Sequence, residues 1–118
     1  MSKGMNDKTS IKTVKLIEGI GPEINWNIKE NKQLIAAVLS LKNVDETKRF
    51  LRDLMTEAEI KEFANRLETA SLLSKDVQYN AISESTGLSS TTIARIAKWL
   101  KGSLGGYRLI LSRMSNKS

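Results

Sequence analysis

From Asn31 to the C-terminus, apolar residues recur at spacings of three and four, and short polar segments separate one such stretch from the next. These spacings place side chains on one face of an α-helix, so each stretch is predicted to be an amphipathic helix. The 118 residues include a single proline, so few positions forbid helical backbone. We therefore expect an all-α fold.

Helix-start signals divide the first part of this pattern. Asn43 is followed by Glu46, and Thr56 by Glu59, and both pairs fit a capping box, in which the two side chains satisfy free N–H groups at a helix start. They predict a first helix that ends near Asn43, a second over 44–54 and a third from 57 to about 74. The apolar stripes expected to be buried are Leu34, Ile35, Val38, Leu39 and Leu41 on the first, Val44, Thr47, Phe50, Leu51 and Leu54 on the second, and Ile60, Phe63, Ala64, Leu67 and 72–73 on the third.

Charge is distributed unevenly along the chain. The net charge is +6, yet every acidic residue lies at or before Glu84, so residues 1–84 balance and residues 85–118 carry the whole excess. At the head of this basic third, residues 79–100 predict a short helix, a turn at Gly87 and a second helix. A positive surface attracts phosphate, and a helix-turn-helix places its second helix in a DNA groove. We therefore expect DNA binding, with a helical hairpin that merely exposes a basic face as the alternative.

Residue types within this segment suit a helix-turn-helix. Ile82, Leu88, Ile93 and Ile96 are expected to pack the two helices together, and Gly87 permits a left-handed turn. Ser89 is predicted to cap the second helix and to turn its free N–H groups towards a phosphate. Hydroxyl and methyl groups near the helix start are expected to reach base edges, and cations farther along to meet phosphates. These exposed residues are Ser90, Thr91, Ala94, Arg95, Lys98 and Lys101, and Thr92 adds a further hydroxyl.

Other functions are disfavoured by what the sequence lacks. Without cysteine or histidine there is no disulfide, no imidazole catalysis and no common zinc site. The only crowded carboxylates that suggest catalysis are Glu57, Glu59 and Glu62. They lie at a helix start, where negative charge interacts favourably with the helix dipole, so we expect them to be structural and the protein not to be an enzyme. No apolar run reaches the roughly 20 residues of a membrane span, and no secretory signal is evident, so a cytoplasmic protein is expected. A helical adaptor that binds another protein through the same hairpin remains the second class of function.

Several motifs along the chain carry a resemblance to a known family. They are TEAEI at 56–60, ANRLE at 64–68, YNAI at 79–82, TG at 86–87, TTIARI at 91–96 and GYRLILSRM at 106–114. From Leu34 to Met114 the sequence resembles the bacterial tryptophan repressor-like helix-turn-helix proteins, most closely the YerC/YecD branch. The expected organisation is a flexible arm over 1–30, the DNA-binding domain over 31–114 and a tail over 115–118.

The resemblance implies an intertwined homodimer with about six helices per chain and two DNA-reading heads one helical turn of DNA apart. In that arrangement a second subunit buries the apolar stripe of the last helix. By carry-over, Asn80, Ser83 and Lys101 meet phosphates, and Ser90, Thr91 and Thr92 reach bases. The expected function is a sequence-specific transcriptional regulator that binds double-stranded DNA and represses.

The resemblance also bears on a small-molecule effector. Tryptophan-responsive members hold the indole ring between two arginines, and Arg66 and Arg95 match those positions, with Thr56 also agreeing. Ile96 and Trp99, however, stand where those members have a glycine and a serine that leave room for the ligand. These five residues therefore predict a vestigial pocket, no cofactor and no response to tryptophan. Trp99 is expected either to stack on one of the two arginines or to pack as an ordinary core residue.

Overall fold

The computed structural model describes residues 16–17 and 21–116. Much of the predicted arm and the last two residues of the predicted tail lie outside these ranges. The described elements are β1 (Leu16–Ile17), β2 (Gly21–Pro22), α1 (Lys29–Leu39), α2 (Val44–Leu54), α3 (Glu57–Ser74), α4 (Tyr79–Thr86), α5 (Ser90–Lys101) and α6 (Gly106–Asn116). The fold is all-α apart from the two-residue strands, and the predicted number of six helices is confirmed for the described residues.

The described residues up to Leu39 belong to the first of two units. Its strands pair antiparallel, with Leu16 opposite Pro22 and Ile17 opposite Gly21. The first helix was predicted to extend to about Asn43, and this is wrong, because α1 ends at Leu39. The predicted cap of the next helix at Asn43 is confirmed.

The second unit covers the described residues from Ser40 onward, and side-chain caps start three of its helices, α2, α3 and α5. The Asn43 side chain accepts a hydrogen bond from the Glu46 N–H at 2.9 Å. Thr56 and Glu59 complete a capping box, since the Thr56 Oγ1 accepts from the Glu59 N–H at 3.1 Å and Glu59 Oε1 accepts from the Thr56 N–H at 2.9 Å. The predicted bounds of α2 and α3 are confirmed.

Helix α3 is the scaffold of this unit, because α2, α4, α5 and α6 all pack against it. The apolar residues that become fully buried lie where α3, α4 and α5 meet, and α5 also packs against α6. Among the described residues they are Ala70, Ile82, Ile93 and Ile96. The predicted core of the helix-turn-helix is therefore confirmed for its three isoleucines.

The expected burial of α2 and α3 is wrong for several residues of a single chain. Val44 is 69% exposed, Leu54 50% and Phe63 44%. The apolar face of α2 extends beyond its contact with α3, so one copy of this unit leaves part of the face in water. None of the described helices is long and apolar enough to cross a membrane.

Candidate nucleic-acid interface

The turn between α4 and α5 is made at Gly87, whose φ of 76° lies in the left-handed region. Its N–H donates to the Ser83 carbonyl at 2.8 Å. The Ser83 hydroxyl donates to the Leu88 carbonyl at 2.8 Å, and the Leu88 N–H donates to Thr86 Oγ1 at 3.2 Å. The predicted glycine turn is therefore confirmed, and these bonds stabilise it.

The start of α5 presents two hydroxyl groups to solvent. Ser89 caps the helix as predicted, since its Oγ accepts from the Thr92 N–H at 3.2 Å and its hydroxyl donates to Thr92 Oγ1 at 3.1 Å. Ser90 and Thr91 are exposed, and their hydroxyls bond to no other described residue. These two side chains can therefore exchange a water for a base or a phosphate without losing an internal bond.

Cations follow along the same helix. Ala94, Arg95, Lys98 and Lys101 are all exposed, as predicted from the helical spacing. The ion pairs between described residues join Arg49 to Asp45 at 3.6 Å and Arg66 to Glu62 at 2.6 Å. Among the described carboxylates, none lies within salt-bridge distance of the cations of α5, so their positive field remains available to a polyanion.

An open groove of about 830 Å³ lies beside the helix-turn-helix. It is lined by Asn80 and Ser83 of α4 and by Ser90 and Lys101 of α5, four of the predicted DNA contacts. The groove brings these residues from two helices together, whereas Thr91, Arg95 and Lys98 lie outside it.

Asp76 also lines this groove, although no pattern in the sequence marked it as a site residue. It follows the end of α3 with a φ of 63°, a left-handed conformation that aspartate tolerates better than most residues. Its carboxylate is the one feature of the groove lining that opposes phosphate binding, because the other ionisable side chain with a charge at neutral pH is Lys101.

The residues of the predicted vestigial pocket are only partly brought together. The Arg66 guanidinium lies 5.7 Å from the centroid of the Trp99 ring and 5.5 Å from that of Phe63. Of the two stacking partners considered for Trp99, the structure selects Arg66. Phe63 was not anticipated, although its position one helical turn before Arg66 on the same face was a usable signal.

The other three predicted pocket residues take separate roles. Thr56 caps α3, Ile96 is fully buried and Arg95 lies on the exposed face of α5.

Burial raises the pKa of the Tyr107 hydroxyl, an effect that the nearby positive charge of Arg66 partly offsets. The Nε of Arg66 and the Nε1 of Trp99 are buried without a hydrogen-bond partner among the described residues. Within the same residues, no group of three or more histidine, cysteine, aspartate or glutamate side chains is arranged to hold a metal ion.

Comparisons with known proteins agree on one family. The sequence profile of the family described as Trp repressor protein matches residues 29–115. A Bacillus subtilis protein, YerC, is 40% identical over 86 residues, which cover 73% of this chain and 83% of YerC.

Solved structures give the same result. The crystal structure of a TrpR-like protein from Eubacterium eligens matches with a TM-score of 0.71 and 35% identity, over 76% of this chain and 93% of that one. A structure from Staphylococcus aureus matches with a TM-score of 0.66 and 34% identity, over 71% of this chain and 84% of that one.

Proposed function

This chain belongs to the Trp repressor family, and from that premise we propose that it is a sequence-specific DNA-binding transcriptional regulator that acts as a homodimer and needs no tryptophan. The family is one of regulators, and repression is the proposed direction of control. The proposed place of action is the bacterial cytoplasm, where chromosomal DNA is accessible.

One observation carries the proposal of DNA binding. The face of α5 that begins at Ser90 and Thr91 is exposed, and it continues through three cations that form no ion pair with any described carboxylate. Unbonded hydroxyls followed by positive charge are what a helix needs to read base edges while it is positioned by phosphates. A helix with the same charge but a buried leading end would bind DNA without reading it.

The proposal of a homodimer is supported by the apolar surface of the last helix and the segment before it. Leu104 is 67% exposed, Leu109 51%, Ile110 42% and Met114 54%. A stripe of this kind on one helix is more apolar surface than a monomer of this size ordinarily leaves in water. A second copy that packs on it also places two reading helices at fixed spacing.

Independence from tryptophan is supported by the stack of Trp99 on Arg66. Trp99 supplies an indole ring of the chain's own to Arg66, and Phe63 lies against the same guanidinium. Two aromatic rings of the chain therefore already lie against this guanidinium, which disfavours the binding of a further ring there. Calorimetric titration of L-tryptophan into the protein is expected to give no heat beyond dilution, and micromolar binding would contradict this part of the proposal.

Selection of genomic fragments with the purified protein tests the function itself. We expect enriched sites with two half-sites about ten base pairs apart, since a dimer reads successive turns of the major groove. If every sequence binds with a dissociation constant in the nonspecific range of about 10⁻⁴ to 10⁻⁶ M, the helical adaptor becomes the better assignment.

Two substitutions separate base reading from phosphate binding on the selected site. Thr91→Ala is expected to weaken binding to that site by about fivefold or more, roughly 1 kcal/mol, and to leave random DNA unchanged. Lys101→Ala is expected to weaken both and to lower the slope of log affinity against log salt by about one. Equal losses on both DNAs for Thr91→Ala would refute its role in reading bases.

A further inference from the structure

The C-terminal end of α5 is bonded by a side chain from α6. The Nη1 of Arg108 donates to the Leu100 carbonyl at 2.6 Å and to the Gly102 carbonyl at 2.9 Å. Carbonyls at a helix end have no partner within their own helix and are satisfied by water or by another group. Here a guanidinium from the following helix supplies the donor for two of them.

The position of Arg108 is electrostatically unfavourable for its own helix. It lies in the first turn of α6, at the positive end of that helix dipole, where cations are disfavoured. Its guanidinium lies instead at the negative end of the α5 dipole, where a cation is favoured. The charge therefore stabilises the end of α5 rather than the start of α6.

The connection between the two helices leaves room for this contact. Gly105 has a φ of +73°, and a Cβ atom built there lies 3.0 Å from Nη2 of Arg108. Any other residue at this position crowds the guanidinium and strains the backbone. The absence of a side chain at Gly105 therefore leaves space for the Arg108 guanidinium.

The last turn of α5 carries residues that the proposed function uses. Lys98 and Lys101 are exposed there, and Trp99 lies against Arg66 of α3. Arg108 bonds the backbone of this turn from α6, while Trp99 ties it to α3. The backbone also closes the end of this helix, because the Gly102 N–H donates to the Trp99 carbonyl at 3.1 Å.

We propose that Arg108 is a positioning residue, which bonds the last turn of α5 and thereby directs Lys98 and Lys101 towards DNA. The consequence for DNA rests on the proposed function, whereas the effect on the helix end does not. Arg108 acts here through the backbone of α5 and makes no DNA contact of its own.

Arg108→Lys tests the inference, because it keeps the charge but removes the second donor arm and the planar group. Arg113→Lys is the matched control, since it makes the same change at an exposed arginine on the same helix. We expect amide hydrogen exchange at Leu100, Lys101 and Gly102 to accelerate about tenfold in Arg108→Lys. The reason is that the last turn opens more often once a charge-assisted hydrogen bond to its carbonyls is lost. Exchange in the middle of α3 is expected to stay unchanged, and Arg113→Lys to alter neither region.

Affinity for the selected DNA gives the second readout. Arg108→Lys is expected to weaken DNA binding about threefold to tenfold. Lys101→Ala is then expected to reduce DNA affinity less in the Arg108→Lys variant than in the wild type, because Lys101 is no longer directed towards DNA. Weaker binding with unchanged exchange would mean that Arg108 meets DNA itself and would overturn the inference. Equal acceleration in α3 would also overturn it, because Arg108 would then stabilise the whole unit.

The two proposals fail in different ways. A wild-type protein that prefers no DNA sequence refutes the proposed function. The exchange measurement contains no DNA, so it decides by itself whether Arg108 positions the end of α5.

Discussion

Hydroxyl groups on the helix-turn-helix fall into two sets according to the bonds they already make. Ser83 and Ser89 use their hydroxyl protons within the turn and the cap, whereas Ser90 and Thr91 do not. Phosphate oxygens only accept hydrogen bonds, so Ser83 has to give up its bond to the Leu88 carbonyl before it can donate to one. Spacing along the sequence predicts which residues share a face, but not which protons are already committed.

Asp76 is the residue whose replacement is predicted to strengthen DNA binding. Asp76→Asn removes a negative charge from the groove that contains Lys101, and asparagine tolerates the left-handed backbone as well as aspartate does. We expect affinity for DNA to rise roughly fivefold at low salt, about 1 kcal/mol, and the gain to shrink as salt screens the charge. Binding isotherms at several salt concentrations measure this.

Asp53→Asn controls for the change in net charge, since Asp53 is an exposed residue of α2 outside that groove. A gain of the same size in both variants would show that net charge, rather than the position of Asp76, is responsible.

Single helices were predictable where a side chain marks their start. The starts of α2 and α3 follow from Asn43 and Thr56, whose cap bonds join residues three apart in sequence. No cap signal was found for α1, and its end, predicted near Asn43, lies at Leu39. The stack of Trp99 on Arg66 joins different helices, and it was expected, as one alternative, only through the family resemblance. The bonds of Arg108 to α5 also join different helices, and no local pattern predicts them.

The stability of the turn between α4 and α5 is predicted to depend on Gly87. Gly87→Ala is expected to lower the free energy of unfolding by about 1 to 2 kcal/mol, because alanine pays the cost of left-handed backbone. The cost is one of conformation alone, since a Cβ atom at Gly87 meets nothing within 4 Å. Urea denaturation at a fixed protein concentration measures it.

Gly106→Ala is the control, because its Cβ also meets nothing within 4 Å and its backbone does not have a positive φ. This variant is expected to be neutral or slightly stabilising, since alanine favours a helix over glycine. A loss of stability as large as that of Gly87→Ala would show that the backbone angle at Gly87 is not the cause.

Large apolar side chains across the second unit remain in water in a single chain. Val44, Leu54, Leu104, Leu109 and Met114 are each at least half exposed, while the fully buried apolar core of the described residues is limited to four side chains. A core this small gives little stability by itself. The fold of the whole molecule is therefore expected to depend on the proposed second copy.

The dependence of stability on protein concentration tests whether the fold requires a second copy. For a dimer that unfolds to monomers, each tenfold rise in concentration adds about 1.4 kcal/mol to the apparent stability, so the urea midpoint is expected to rise by roughly 0.5 M or more. Denaturation curves at several concentrations measure the shift, with sedimentation to give the mass. A monomer whose midpoint is independent of concentration would contradict the dimer.

The stack of Arg66 on Trp99 has a consequence for how a cell adjusts such a regulator. Because the indole ring is covalently part of the chain, every molecule carries it beside Arg66, whatever the supply of aromatic metabolites in the cell. Within the proposed function, the fraction of operator sites that are filled then depends on copy number, so synthesis and proteolysis of the protein become the means of control.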